Sequence, residues 1–167
     1  MEHELIYPIY YRGYVGRVKD DVWSHLEQQS AEVRALLREL TSEQWAFRYA
    51  PEKWTLWQSW RHVLDTERIM STRALCILRG DKSPLPGYDQ DAYAKTYPAV
   101  GDPIAILDEF EALRTASLLV LAKADKKDLE QAGTVSGQPM NALALCYILA
   151  GHVDHHLDLT RERYLLG

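Results

Sequence analysis

Only two of the 167 residues are cysteine, and no Cys-x-x-Cys pair, glycine-rich phosphate loop or Gly-x-Ser-x-Gly elbow occurs. These absences exclude a disulfide-stapled scaffold, a cysteine-held zinc cluster, a nucleotide cradle and the serine-hydrolase turn. No apolar run reaches the roughly 18 residues that would suggest a membrane span. The opening residues hold Tyr7, Tyr10, Tyr11 and Tyr14 but no apolar signal core. Lys and Arg number 19 against 24 Asp and Glu, a net charge of −5 with no block of one sign, so the basic stripe that nucleic acid needs is missing. The expectation is a cytoplasmic protein whose partner is a small molecule, with neither nucleic acid nor membrane involved.

What the chain does have is apolar content, 47% of residues, enough for one sizeable core in a single domain spanning 1–167. Val22, Leu26, Val33, Leu36, Leu37 and Leu40 recur at helical spacing, which predicts a first helix from Asp21 to about Leu40, ended by Thr41-Ser42-Glu43-Gln44. Pro51 interrupts the chain, and Thr55 with Gln58 forms a capping box that starts a second helix near Leu56, running to about Arg79 before Gly80. From Gly80 to Gly101 the breakers Pro84, Pro86, Gly87 and Pro98 predict a long ordered connection. Asp102 and Pro103 open a third helix that fades after Ala124, and a fourth runs from Met140 to about Leu165. No strand pair is convincing. The fold class is all-α, a four-helix bundle over about 21–166 with a long crossover between helices two and three, preceded by an N-terminal extension, 1–20. Cys76 and Cys146 lie in apolar helical contexts and read as reduced core residues.

The chemistry concentrates in histidine. His152 and His156, an i, i+4 pair, stand one above the other on one face of the fourth helix, in line with Leu145, Leu149 and Leu159. Polar atoms on an apolar stripe need partners, and a metal ion supplies one. His62, on the second helix, is the expected third ligand, and three imidazoles leave a coordination position open as catalytic sites do. The plainer reading of His62 alone is a hydrogen-bonded core or boundary residue, an i, i+4 histidine pair also arises by accident on exposed faces, and His155, at i+3 from His152, competes with His156. Asp65 could orient an imidazole or join the metal, and Glu67 or Asp158 could support a ligand from behind, although solvated helix carboxylates have the same pattern. Trp54, Trp57 and Trp60 read mostly as core, with one ring free to line a pocket. The stretch Gly87-Tyr88-Asp89-Gln90-Asp91-Ala92-Tyr93 groups carboxyl, amide and phenol side chains in the connection, where the alternative is a capped turn. No dedicated general base stands out; His155, Asp89 and Asp91 are the candidates.

These residues also resemble a known family. Pro51-Glu52-Lys53-Trp54-Thr55 leading to His62 and Asp65-Thr66-Glu67-Arg68, then Arg79-Gly80-Asp81 with Pro84-Leu85-Pro86-Gly87-Tyr88-Asp89, and finally Tyr147 to His156, resemble the DinB-like superfamily from about Trp23 to Tyr164. Tyr88 departs mildly, standing where Phe is common. The resemblance implies an up-down-down-up bundle with a divalent metal, zinc or nickel, on His62, His152 and His156. It also implies a homodimer. The family holds thiol S-transferases that use bacillithiol or mycothiol, a maleylpyruvate isomerase and members without known activity. A divalent-metal-dependent S-transferase or hydrolase is therefore expected, with a low-molecular-weight thiol as cosubstrate in the first case. The alternative is a non-catalytic metal- or ligand-binding stress protein.

Overall fold

The computed structural model describes residues 4–165. The first three residues of the expected extension, and residue 166 at the expected end of the bundle, lie outside the described residues. Four long helices dominate: α1 (Val22–Arg38), α2 (Leu56–Leu78), α3 (Pro103–Leu121) and α4 (Ala142–Leu159). Each starts where a side chain can accept a free backbone N–H. Asp21 caps α1, Thr55 and Gln58 form the capping box of α2, Asp102 precedes Pro103 in α3, and Asn141 caps α4.

Helix direction follows from which residues meet. Gln29 and Arg34 of α1 bond Arg114 and Glu111 of α3, so that pair is antiparallel. Arg61 and Glu67 of α2 meet Glu109 and Arg114, so α2 and α3 run parallel. Ser59 and His62 meet His156 and His152, so α2 and α4 are antiparallel. The result is the up-down-down-up bundle. Residues 79–102 join the parallel pair and bond to α2 on the way back: Tyr88 to Thr66, Tyr97 to Asp65, and the Ala99 carbonyl to Thr55.

A polar layer runs through the middle of the bundle. Arg114 donates from Nε and Nη2 to both carboxylate oxygens of Glu67, at 2.9 and 3.1 Å, and from Nη1 to the Leu26 carbonyl and Gln29 Oε1. Gln29 in turn donates to the Ala150 carbonyl and to Asp154 on α4. All four helices are thus tied together. Glu67 and Arg114 are each 1% exposed, so Glu67 is neither a solvated charge nor a helper of the histidines. Below and above this layer lie two apolar clusters, one containing Leu26, Met70, Ile77 and Leu149, the other Val33, Leu64, Phe110 and Leu157.

Three features depart from the sequence reading. Thr41 does not simply end the first helix; with Gln44 it caps a one-turn helix, Ser42–Ala46, that buries Trp45. A hairpin does form, β1 (Ala132–Val135) against β2 (Gln138–Asn141). Its Ser136-Gly137 turn has positive φ at both positions, 51° and 77°, the geometry of a two-residue hairpin turn that short, Gly-rich strands hid. The N-terminal residues dock on α4: Asn141 bonds Ile6 and Glu4, and Tyr14 crosses the helix at Gly151, where any Cβ would run into the Tyr14 carbonyl.

Removing one partner of a buried ion pair strands the other charge, so Arg114→Ala should cost about 3–5 kcal/mol of stability. Chemical denaturation should show the joint replacement Arg114→Met with Glu67→Leu to be far milder than either single change. Equal losses would mean the pair does not organise the core.

Candidate metal centre

The antiparallel packing of α2 on α4 brings His62 to His152 and His156, although 90 residues separate His62 from His152 in sequence. All three are buried, and their ligand-capable nitrogens lie within 4.8 Å of one another. His62 Nε2 and His152 Nε2 are 3.1 Å apart. The ring centroids of His62 stand 5.0 Å from His152 and 5.4 Å from His156, and those of His152 and His156 are 4.6 Å apart.

Burial sets their charge. It pulls His62 down to about 4, against a smaller upward pull from Asp65 and Asp91. It holds His152 and His156 well below the usual imidazole range, and neighbouring imidazoles press in the same direction. At neutral pH all three rings are therefore uncharged, each with a lone pair to offer. Three neutral nitrogen donors with no carboxylate among them form a set suited to a divalent transition metal. The fit to a divalent cation rests on that convergence.

Supporting residues hold the rings. Ser59 Oγ lies 3.0 Å from His156 Nδ1 and accepts its N–H when Nε2 is the nitrogen turned inward. Tyr14 meets His152 edge-on at 5.5 Å, and Trp54 leans on His62 at 5.2 Å. After α4 the chain widens into a π turn, Thr160–Tyr164, in which Thr160 donates to the His156 carbonyl and accepts from Trp60 Nε1. That turn carries Tyr164 to the cavity, where its hydroxyl donates to the Trp54 carbonyl at 3.0 Å.

The histidines open onto a cavity of about 300 Å³ whose wall also holds Tyr14, Glu52, Lys53, Gln90, Asp91 and His155. His155 and Asp91 are thus brought to the cluster. Asp89 is not on that wall; its carboxylate caps the one-turn helix Gln90–Ala94, accepting from Asp91 and Ala92 N–H at 3.0 Å. The expected carboxylate helpers point elsewhere. Asp65 accepts from Tyr97, Glu67 binds Arg114, and Asp158 pairs with Arg17 at 2.6 Å. Ser59 takes the orienting place instead. Its i−3 spacing from His62 put it on the right face, a readable signal. Tyr14, Glu52 and Lys53 were missed because they reach the site from segments outside the two ligand helices, and Tyr164 because the expected helix to about Leu165 ends at Leu159 in a π turn that changes which side chains face the cavity. Trp54 lines the cavity while Trp57 and Trp60 are buried.

Comparison with known proteins places this geometry. The model of the DinB superfamily matches residues 25–159. Among solved structures, YfiT from Bacillus subtilis, described as a probable metal-dependent hydrolase with an unusual four-helix bundle topology, superposes with a TM-score of 0.78 at 18% identity, over 86% of this chain and 83% of that one. At that identity the likeness is one of fold. No curated protein matches this chain.

One divalent ion per chain is expected, and His62→Ala, His152→Ala or His156→Ala should each remove most of it by elemental analysis; unchanged stoichiometry would refute the ligand set. A second expectation concerns the metal-free protein. Its buried histidines stay neutral where the unfolded chain takes up protons, so stability is full above about pH 6.5 and falls as pH drops toward 4, the folded value of His62. Replacing His62 by Gln should flatten the acid side of that profile in denaturation measured across the same pH range.

Proposed function

We propose that this chain, which belongs to the DinB superfamily, is a divalent-metal-dependent hydrolase of a small substrate, with zinc or nickel held by His62, His152 and His156. The observation that carries the reading is the opening of three buried neutral imidazoles onto a polar cavity that also holds Asp91 and His155. A divalent cation on three imidazoles supplies Lewis acidity and lowers the pKa of a protic group at its open position.

The chain's own residues do the rest. Ser59 fixes the orientation of the His156 ring, and Trp54 and Tyr14 pack on His62 and His152 and hold those rings. His155 is held below the ordinary imidazole range by burial and by Arg17, so at neutral pH it is an uncharged base. Asp91, across the cavity on the one-turn helix, offers a second proton acceptor. Lys53 on the same wall is placed to meet an anionic group of a substrate. At about 300 Å³ the cavity sits at the small end of ligand sites, which supports a compact substrate.

Thiol S-transfer is the second reading, favoured by Lys53, whose ammonium would hold an acidic low-molecular-weight thiol such as bacillithiol beside the open position. Both readings share the metal and differ in the nucleophile.

The test loads the protein with zinc or nickel and measures hydrolysis of small esters and amides beside conjugation of bacillithiol to a generic electrophile. Hydrolysis above the metal-free background is expected. His155→Gln or Asp91→Asn should lower kcat by about a hundredfold or more, with metal content unchanged. Acceleration of conjugation alone would establish S-transfer, and silence in both assays would identify a binding protein without turnover.

A further inference from the structure

A second cavity of about 300 Å³ lies between α2 and the connection that follows it. Residues 87–93 stand between the two cavities: Gln90 and Asp91 line the one with the histidines, whereas Gly87, Tyr88 and Tyr93 line the other. The second cavity is mostly apolar, walled by Ile69, Leu85, Pro86 and the two tyrosine rings.

Its polar feature is Arg73. The side chain is 5% exposed and reaches only two acceptors among the described residues, the Pro86 carbonyl and, weakly, Met70 Sδ at 3.4 Å. The guanidinium also lies 5.7 Å from the centre of the Tyr88 ring. A guanidinium has five N–H donors and stays charged in proteins. The ionisable groups nearest it are the phenols of Tyr10, Tyr11, Tyr88 and Tyr93, and among the described residues no carboxylate lines the cavity. Arg68, also on the wall, is already paired with Glu109 and Asp65. The contrast with Arg114 is instructive. That buried arginine has a bidentate carboxylate and two carbonyl-type acceptors, so this fold satisfies a buried guanidinium where it serves only structure. A buried charge without a counter-ion is costly, and a ligand carboxylate would relieve the cost with charge-assisted hydrogen bonds.

We infer that the cavity beside Arg73 binds a small carboxylate with an apolar body, the anion meeting Arg73 and the body packing among Ile69, Leu85 and Tyr93. The site is independent of the metal centre and does not need it to be loaded.

The cavity contains its own reporter. Cys76 lines it and is half-buried, whereas Cys146 is fully buried, its thiol pushed up to about 12 by burial. Alkylation of the metal-free full chain by iodoacetamide, read by peptide mass, therefore reports on Cys76. Benzoate should slow that reaction saturably at millimolar concentration, while benzamide, with the same ring and no charge, should not. Arg73→Gln should weaken protection about tenfold or more. His152→Ala should leave it intact, which separates this site from the histidine cavity. Equal protection by benzamide or by inorganic phosphate, no protection by benzoate, or its loss in His152→Ala would each overturn the inference. The comparison of benzoate with benzamide on the unaltered chain decides the matter even if Arg73→Gln does not fold.

Discussion

The buried contact of Arg114 with Glu67 and Gln29 is the constraint on which the rest of this bundle depends. Four amphipathic helices can pack in several registers at similar apolar cost, since Leu, Ile and Val are interchangeable to first order. A bidentate ion pair at 1% exposure cannot slide, because moving α3 by one turn against α2 would bury two unpaired charges. Gln29 extends the same constraint to the Ala150 carbonyl on α4. Two residues beyond Ala150 stands His152. The register that satisfies Arg114 is thus the register that brings α4's histidines level with His62.

The histidine site depends on the same register. Three imidazoles in a buried cluster are tolerated only while neutral, and burial keeps them so. Their ligand-capable nitrogens lie within 4.8 Å of one another, and the Nε2 atoms of His62 and His152 share a hydrogen bond. The hydrogen bond between Ser59 and His156 Nδ1 and the packing of Trp54 on His62 and Tyr14 on His152 hold the rings in place, so a cation would meet a prearranged donor set. Preorganisation of this kind favours function over folding energy, because the polar layer and two apolar clusters already define the fold.

Much of this was legible in sequence. The capping box at Thr55 and the Asp102-Pro103 start, with apolar spacing behind them, marked where α2 and α3 begin, the expected starts at Asp21 and Met140 lie one and two residues before the observed ones, and the i, i+4 pair with His62 named the cluster that the structure brings together. What sequence could not show was pairing at a distance. Glu67 and Asp65 look alike on α2, yet one is buried against Arg114 and the other takes a tyrosine hydroxyl, a difference decided by residues on α3 and in the 79–102 connection. Tyr14 reaches His152 only because the N-terminal segment crosses α4 at Gly151, whose missing side chain makes room. The hairpin was hidden by strands of four residues containing Gly133 and Pro139, which carry almost no alternation. Asp89 and Asp91 differ in role because one faces the backbone of its own turn and the other the cavity.

The central claim is that the histidine cluster is a three-nitrogen metal centre with room for a further ligand. X-ray absorption at the metal edge of the loaded protein tests it most directly. The account predicts three imidazole nitrogens at about 2.0–2.1 Å with at least one additional light atom in the shell for zinc. A sulfur scatterer, or a shell with fewer than three imidazoles, would contradict it.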